Sequence, residues 1–373
     1  MARDQGRVVF FCGAGVSRAR AGLPDFFGLA ERVTGKLGVQ PDSAIVKILE
    51  EAKAIGNRTG VDGLISADRV FGLLEREFLP HDINAAVASA LNPGVNCDLH
   101  AHRTLVKLAT TREGLVRLVT TNFDRMFDEC KVGLNSFKPP NLPDPACPGE
   151  LNGIVYLHGK ATPEYDGAED DGFCTFQLGI RESLSIRWMG DFFFHEIIDR
   201  YFVVFVGYTA DDPPVQYLLE ALNKTAGRLE GVYAFQSGEA KYATTRWQHK
   251  GVEAILYDEA NRHSALWETL EAWAERADDA DGWIDRVVEL ARQGPEKLAP
   301  HQRGQVAHIT GTVEGVRKFS EGENPPPATW LCVFDPFRRY EKPGHVGRFD
   351  DRGPYLDPFD LFGLDSDAVP EQT

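Results

Sequence analysis

Residues Val8-Val9-Phe10-Phe11-Cys12 run without a polar break into Gly13-Ala14-Gly15-Val16-Ser17, and no other stretch restricts the fold as much. An unbroken apolar run of this length has no polar face, which predicts a strand buried on both sides, as in a parallel sheet. Gly13 and Gly15 then let the chain turn tightly, and the N–H groups freed by such a turn are able to face a phosphate. Taken alone, a Gly-x-Gly turn serves equally well to close an ordinary strand-to-loop corner.

Three later segments repeat the design of an apolar run opening into a polar turn. Leu115-Val116-Arg117-Leu118-Val119 leads into Thr120-Thr121-Asn122-Phe123-Asp124, Ile154-Val155-Tyr156-Leu157 into His158-Gly159, and Phe202 to Val206 into Gly207-Tyr208-Thr209-Ala210-Asp211-Asp212. Helical spacing fills the intervals: a stretch from about Leu29 to Val39, further segments to about Leu91, and Asp68 to Phe78 with Val70, Phe71, Leu73, Leu74 and Phe78 in register. Strands predicted over Asp199–Val206 and Gly231–Phe235, and helices over Val215–Leu222 and Ser264–Ala274, continue the alternation. The pattern predicts an α/β fold, a Rossmann-like parallel sheet with helices on both faces and a helical insertion at about residues 40–92. The turns would then gather at the carboxyl edge of that sheet.

His100-Ala101-His102 opens a helix through Leu105, Leu108 and Ala109. Residues two apart do not share a helix face, so a capping or packing role is the better reading than a metal pair. Pro139 to Pro148 reads as a proline-rich loop and Glu164 to Asp171 as an acidic one, a solvated face or a gate near His158. Beyond about Asp281 the composition shifts. Helices are predicted over Trp283–Arg292 and Gly304–Phe319, and a tail containing Pro325-Pro326-Pro327 follows, whose composition does not suggest a core of its own, while its aromatics Trp330, Phe334, Phe337 and Tyr340 predict some burial. The expected division is therefore 1–280 and 281–373, the latter a helical and Pro-rich extension.

The chain has 373 residues and a formal net charge of -16, which opposes nonspecific attraction to nucleic acid. No apolar run is long enough to span a bilayer and no basic-then-apolar leader precedes the first strand, so a cytoplasmic location is expected. The six cysteines, Cys12, Cys97, Cys130, Cys147, Cys174 and Cys332, contain no Cys-x-x-Cys pair and read as reduced. No zinc or other metal is expected.

Gly13-Ala14-Gly15-Val16-Ser17 followed by Gly22-Leu23-Pro24-Asp25-Phe26 resembles the first signature of the Sir2 (sirtuin) superfamily, whose members bind NAD. Thr120-Thr121-Asn122-Phe123-Asp124 is similar to the family's Thr-Gln-Asn-Ile-Asp element, with Thr121 in place of glutamine, and His158-Gly159 to its catalytic His-Gly. Gly207-Tyr208-Thr209-x-x-Asp212 is closer to the prokaryotic Sir2-like effector branch than to the deacylases. The likeness covers roughly residues 7 to 275. It implies NAD as substrate, with Asn122, His158 and Asp124 catalytic: Asn122 orienting water or ribose hydroxyls, His158 acting as general base, and Asp124 contacting the carboxamide. It also implies Gly13, Ala14, Gly15 and Ser17 at the pyrophosphate, Pro24, Asp25 and Phe26 walling the nicotinamide, Thr121 lining the pocket, and Gly207, Tyr208, Thr209 and Asp211 at phosphate or ribose.

Two departures bear on activity. The zinc cysteines of the deacylases are missing, and Phe27 and Gly28 follow Pro-Asp-Phe where those enzymes continue with arginine. The segment Gly172 to Arg181 also fits the effector pattern poorly, by divergence or altered packing. The resemblance thus implies an NAD glycohydrolase yielding nicotinamide and ADP-ribose, an effector of anti-phage defence restrained by homo-oligomerisation or a defence-system partner protein. A protein deacylase or ADP-ribosyltransferase, or a non-catalytic NAD or ADP-ribose sensor, are the alternatives.

Overall fold

The computed structural model describes residues 2–3, 5–59, 67–94, 97–131, 133–170, 172–173, 192–208, 219 and 231–334. The chain divides into two compact units, Met1–Ala274 and Glu275–Thr373.

In the first unit the described strands form one sheet, all parallel: β1 (Val8–Cys12), β2 (Arg117–Thr120), β3 (Ser136–Phe137), β4 (Gly153–Tyr156), β5 (Phe202–Val206), β6 (Val232–Ser237) and β7 (Glu253–Tyr257). The order across the sheet is β3-β4-β2-β1-β5-β6-β7. The chain thus places β2, β3 and β4 on one side of β1, with β4 entering between β2 and the edge strand β3, then crosses to the other side of β1 with β5. That reversal between β1 and β5 is the topological switch point at which α/β sheets of this kind open a crevice.

Every residue of β1 is buried, as its apolar run predicts. The strand's period of two sorts its side chains: Val9 and Phe11 enter a cluster with Val119, Val155, Phe193, Phe194, Ile197, Phe205 and Trp247, while Phe10 turns to the other face and meets Trp273 at 5.5 Å between ring centroids. Helix 192–200 supplies the phenylalanines of the first face, and helix Ala260–Asp278 supplies Trp273 on the second. The sheet is therefore covered on both faces.

Expected and observed elements differ in places. Residues 192–200 are helical, so β5 starts at Phe202 rather than Asp199. The expected helix over Leu29–Val39 begins instead at Phe26, because the Asp25 carboxylate caps it by accepting from the Gly28 N–H at 2.8 Å. β7, at the edge of the sheet, leaves Ile255 and Leu256 exposed although Ala254 to Tyr257 is apolar, so its burial follows neither a continuous nor an alternating pattern. Val215–Leu222 lies outside the described residues except Leu219, which is buried.

Helices α1 (Ala14–Ala21), α2 (Phe26–Lys36), α3 (Ala44–Thr59), α4 (Ala67–Glu77), α5 (Pro80–Ala90) and α6 (His100–Ala109) follow β1 in order. A second core joins α2 to α5: Leu29, Val33, Ile45, Leu49, Val70, Phe71, Leu74, Ile83 and Val87, with Phe123, Tyr165 and Phe173 contributed by the sheet's loops. Each such large side chain contributes about 1.5–3 kcal/mol on burial, so the module is held by its own apolar stripes.

The second unit has a core, in which Trp330 is buried and Phe334 packs, as expected of the tail's aromatics. Trp283, Val287, Val288, Ala291, Leu298, Val306, Ile309, Trp330 and Val333 pack together, and the Trp330 indole donates to the Ala291 carbonyl at 2.8 Å. The single helix expected over Gly304–Phe319 is two, Pro300–Thr310 and Val313–Ser320, because the Thr312 hydroxyl accepts from the Gly315 N–H and starts a new helix. Gly315 is required there: a Cβ would lie 2.1 Å from the Ile309 carbonyl oxygen.

Candidate functional site

Sheet register fixes where the site must form. Cys12 is level with Thr120 on one side and Val206 on the other, and Thr120 is level with Tyr156. Gly13, Asn122, His158 and Gly207 therefore leave the sheet from the same rim, the carboxyl edge, as the alternation of strands and helices requires.

At the switch point three glycines pack backbone against backbone. The Gly13 N–H donates to the Val206 carbonyl at 3.0 Å and the Gly15 N–H to the Gly207 carbonyl at 2.8 Å. A Cβ on Gly13 would sit 2.6 Å from the Gly207 oxygen, one on Gly15 2.7 Å from the same atom, and one on Gly207, whose φ is +60°, 2.5 Å from the Val16 nitrogen. The expectation that these freed N–H groups face a phosphate is corrected accordingly. Those of Gly13 and Gly15 stitch the first turn to the end of β5, and the glycines are needed because two main chains touch there.

One turn into α1, Ser17 lies at the centre of a buried polar cluster. Its hydroxyl is 2.9 Å from Asp124 Oδ2, 3.1 Å from Asn122 Nδ2 and 3.1 Å from His102 Nε2. Asn122 Nδ2 also donates to the Gly13 carbonyl at 3.3 Å, and because that carbonyl only accepts, the orientation of the amide is settled. The strand end pins the loop: Thr120 Oγ1 donates to the Cys12 carbonyl at 3.0 Å and accepts from the Asn122 N–H at 3.1 Å. With both amide protons engaged, Asn122 Oδ1 remains, buried and without a hydrogen-bond partner. It is an acceptor in want of a donor.

Asp124 is 2 % exposed, and its Oδ1 accepts from the Met126 N–H at 3.2 Å. Burial pushes its carboxyl up to about 6, against the pull of its Ser17 and Met126 hydrogen bonds. His102 is fully buried, with its ring edge-on to Phe127 at 4.7 Å and Nδ1 without a partner. Burial drives its imidazole down to about 4, so at neutral pH the ring is uncharged. The packing role expected for His102 is present, and a polar one accompanies it that the His-x-His spacing does not signal.

The remaining expected residues sort into three groups. His158 is half-buried just past the end of β4, its ring centroid 6.4 Å from that of Phe123, the residue that follows Asn122. Ala14 and Thr121 lie on the same rim, the Thr121 N–H donating to the Cys12 carbonyl. Others serve packing and capping: Asp25 caps α2 and pairs with Arg18 at 2.6 Å, Phe26 stacks on Phe71 at 5.4 Å, and the Tyr208 ring packs against both Phe11 and Phe205. Ser17, expected at the pyrophosphate, is instead 2 % exposed inside the cluster. Pro24 is half-buried ahead of α2. Thr209 and Asp211 lie outside the described residues, as does the atypical segment beyond Phe173, whose own ring packs on Phe123 at 4.6 Å.

Lys160, two residues after His158, belongs to an ionic cluster. Lys160, 5 % exposed, pairs with Asp128 at 2.7 Å, Lys138 pairs with Asp170 at 2.7 Å, and Glu169 lies among Arg125, Lys138 and Lys160. The acidic loop is thus only partly a solvated face, since Glu169 is drawn in and its carboxyl held below its usual range by these cations. Among the described residues, no group of three or more His, Cys, Asp or Glu side chains is arranged to hold a metal ion, and no helix is long and apolar enough to cross a membrane.

No protein-family model matches the chain. Over 308 residues it is 29% identical to an uncharacterized protein, y4cA, of Sinorhizobium fredii, a match covering 78% of this chain and 24% of that protein. The chain thus spans about a quarter of that relative's length.

Proposed function

We propose that the carboxyl rim of this sheet binds NAD and that the chain hydrolyses its nicotinamide–ribose bond, as the resemblance to Sir2-like effectors implies. The observation that carries the reading is the bare acceptor of Asn122. Its amide is fixed by Gly13 and Ser17 beside the switch point, and Oδ1 is left to receive a hydrogen bond from a hydroxyl or a water. A ribose hydroxyl or the attacking water supplies that donor.

Breaking the bond passes through an oxocarbenium-like sugar, with the bonding pair leaving on the nicotinamide ring. Water then adds its oxygen to the sugar carbon and gives up a proton. His158, on the neighbouring strand end, is the base that takes it, since a neutral imidazole has one ring nitrogen with a free lone pair. The buried Asp124 carboxylate, each oxygen retaining a second lone pair, is available to the carboxamide. In this arrangement Asn122 Oδ1 is shut from solvent, which supports a resting form that a homo-oligomer or a partner protein of an anti-phage defence system would release.

Incubation of purified protein with NAD, with and without an acyl-lysine peptide, tests the reading by chromatography of the products. Nicotinamide and ADP-ribose without peptide are expected. Release only with the peptide would point to a deacylase, and binding without turnover to a sensor.

A further inference from the structure

We infer that His102 is a positioning residue for this site: its Nε2–H holds the Ser17 hydroxyl toward Asp124, and Ser17 in turn fixes Asn122 with Oδ1 presented as the acceptor. The inference rests on the reading of Asn122 given above, and it follows from counting protons. A serine hydroxyl has one proton to give and two lone pairs. Three partners surround Ser17 Oγ, at 2.9 to 3.1 Å. Asn122 Nδ2 only donates, so it occupies one lone pair. An ionised Asp124 only accepts, so it receives the serine proton. The second lone pair then requires a donor, and the one remaining neighbour is His102 Nε2.

The assignment fixes the tautomer. His102 carries its proton on Nε2, and Nδ1, which has no partner, is the bare nitrogen. The opposite tautomer would set a nitrogen lone pair against the hydroxyl, draw the serine proton away from Asp124 and loosen the hold on the amide. Phe127 fixes the ring against rotation by its edge contact. His102 and Asn122 are both hydrogen-bonded to the Ser17 hydroxyl, so His102 acts on the amide through Ser17.

Two variants and one spectrum test this. His102→Leu removes the donor while filling the site, and His102→Gln keeps an N–H at similar reach. With wild-type folding checked by circular dichroism, His102→Leu is expected to lose at least about tenfold in kcat for NAD, the scale of one buried hydrogen bond, with KM little changed, and His102→Gln to recover most of it. Nitrogen-15 spectra of histidine-labelled protein at neutral pH should show Nε2 protonated and Nδ1 bare at His102. A folded His102→Leu with wild-type kcat, a glutamine variant no better than leucine, or a protonated Nδ1 would each overturn the inference. Should His102→Leu fail to fold, the glutamine variant and the spectrum still decide. If the wild type releases no nicotinamide at all, the reading of the site falls, while the spectrum still settles the hydrogen-bond assignment.

Discussion

Gly15 donates its N–H to the carbonyl of Gly207 over 2.8 Å, joining the first turn of the chain to the loop after β5 across the switch point of the sheet. The two backbones approach so closely that neither glycine admits a side chain. The glycine signature here serves main-chain packing first. Any ligand contact it makes is built on that base.

Gly15→Ala should therefore destabilise the fold by about 1–3 kcal/mol, the range for forcing extra atoms into a packed site. Gly35→Ala, in α2 with nothing within 4 Å of the added carbon, should instead stabilise by about 0.5–1 kcal/mol. Urea denaturation of the two variants measures both signs.

Asp124 and His102 give the fold opposing responses to acid. The folded-state carboxyl of Asp124 is raised to about 6, so its charge is tolerated less well than in the unfolded chain, and stability falls as pH rises from about 4 to 6. The folded-state imidazole of His102 is lowered to about 4 from 6.5, so stability falls as pH drops through that window. Each effect is on the order of 3 kcal/mol. Asp124→Asn should leave the acid-side loss exposed, and His102→Gln should leave a loss on raising pH. Denaturation midpoints taken from pH 4 to 7 would show the two slopes with opposite sign.

Glu169 links Arg125, Lys138 and Lys160. Glu169→Gln should cost about 1–3 kcal/mol, since Lys160 is buried and loses part of its compensation while Asp128 remains. A Lys138→Met background should reduce that cost, measurable as coupling in a double-mutant cycle.

Much of the sheet is legible in the chain because central parallel strands are apolar throughout: Val8–Cys12 and Phe202–Val206 declare themselves, and the turns after them mark the rim. The edge strand Glu253–Tyr257 does not, because half-exposed residues follow no strict pattern. Asn122 and Asp124 are visible as a pair after a strand. What the sequence does not reveal is how their atoms are committed. Ser17 and Asp25 are placed by the helices they belong to, one turned inward and the other capping, and His102 comes from α6, 85 residues from Ser17. In the second unit the burial of Trp330 is legible from its aromatic character, but its partner is not, since the indole reaches back to Ala291 across 39 residues.

Nicotinamide release from NAD by wild type, Asn122→Ala and His158→Ala, side by side, measures directly whether Asn122 and His158 act on one bound nucleotide as proposed. Turnover by the wild type, with loss of at least about a hundredfold in each folded variant, is the predicted result. Undiminished turnover in either variant would contradict it.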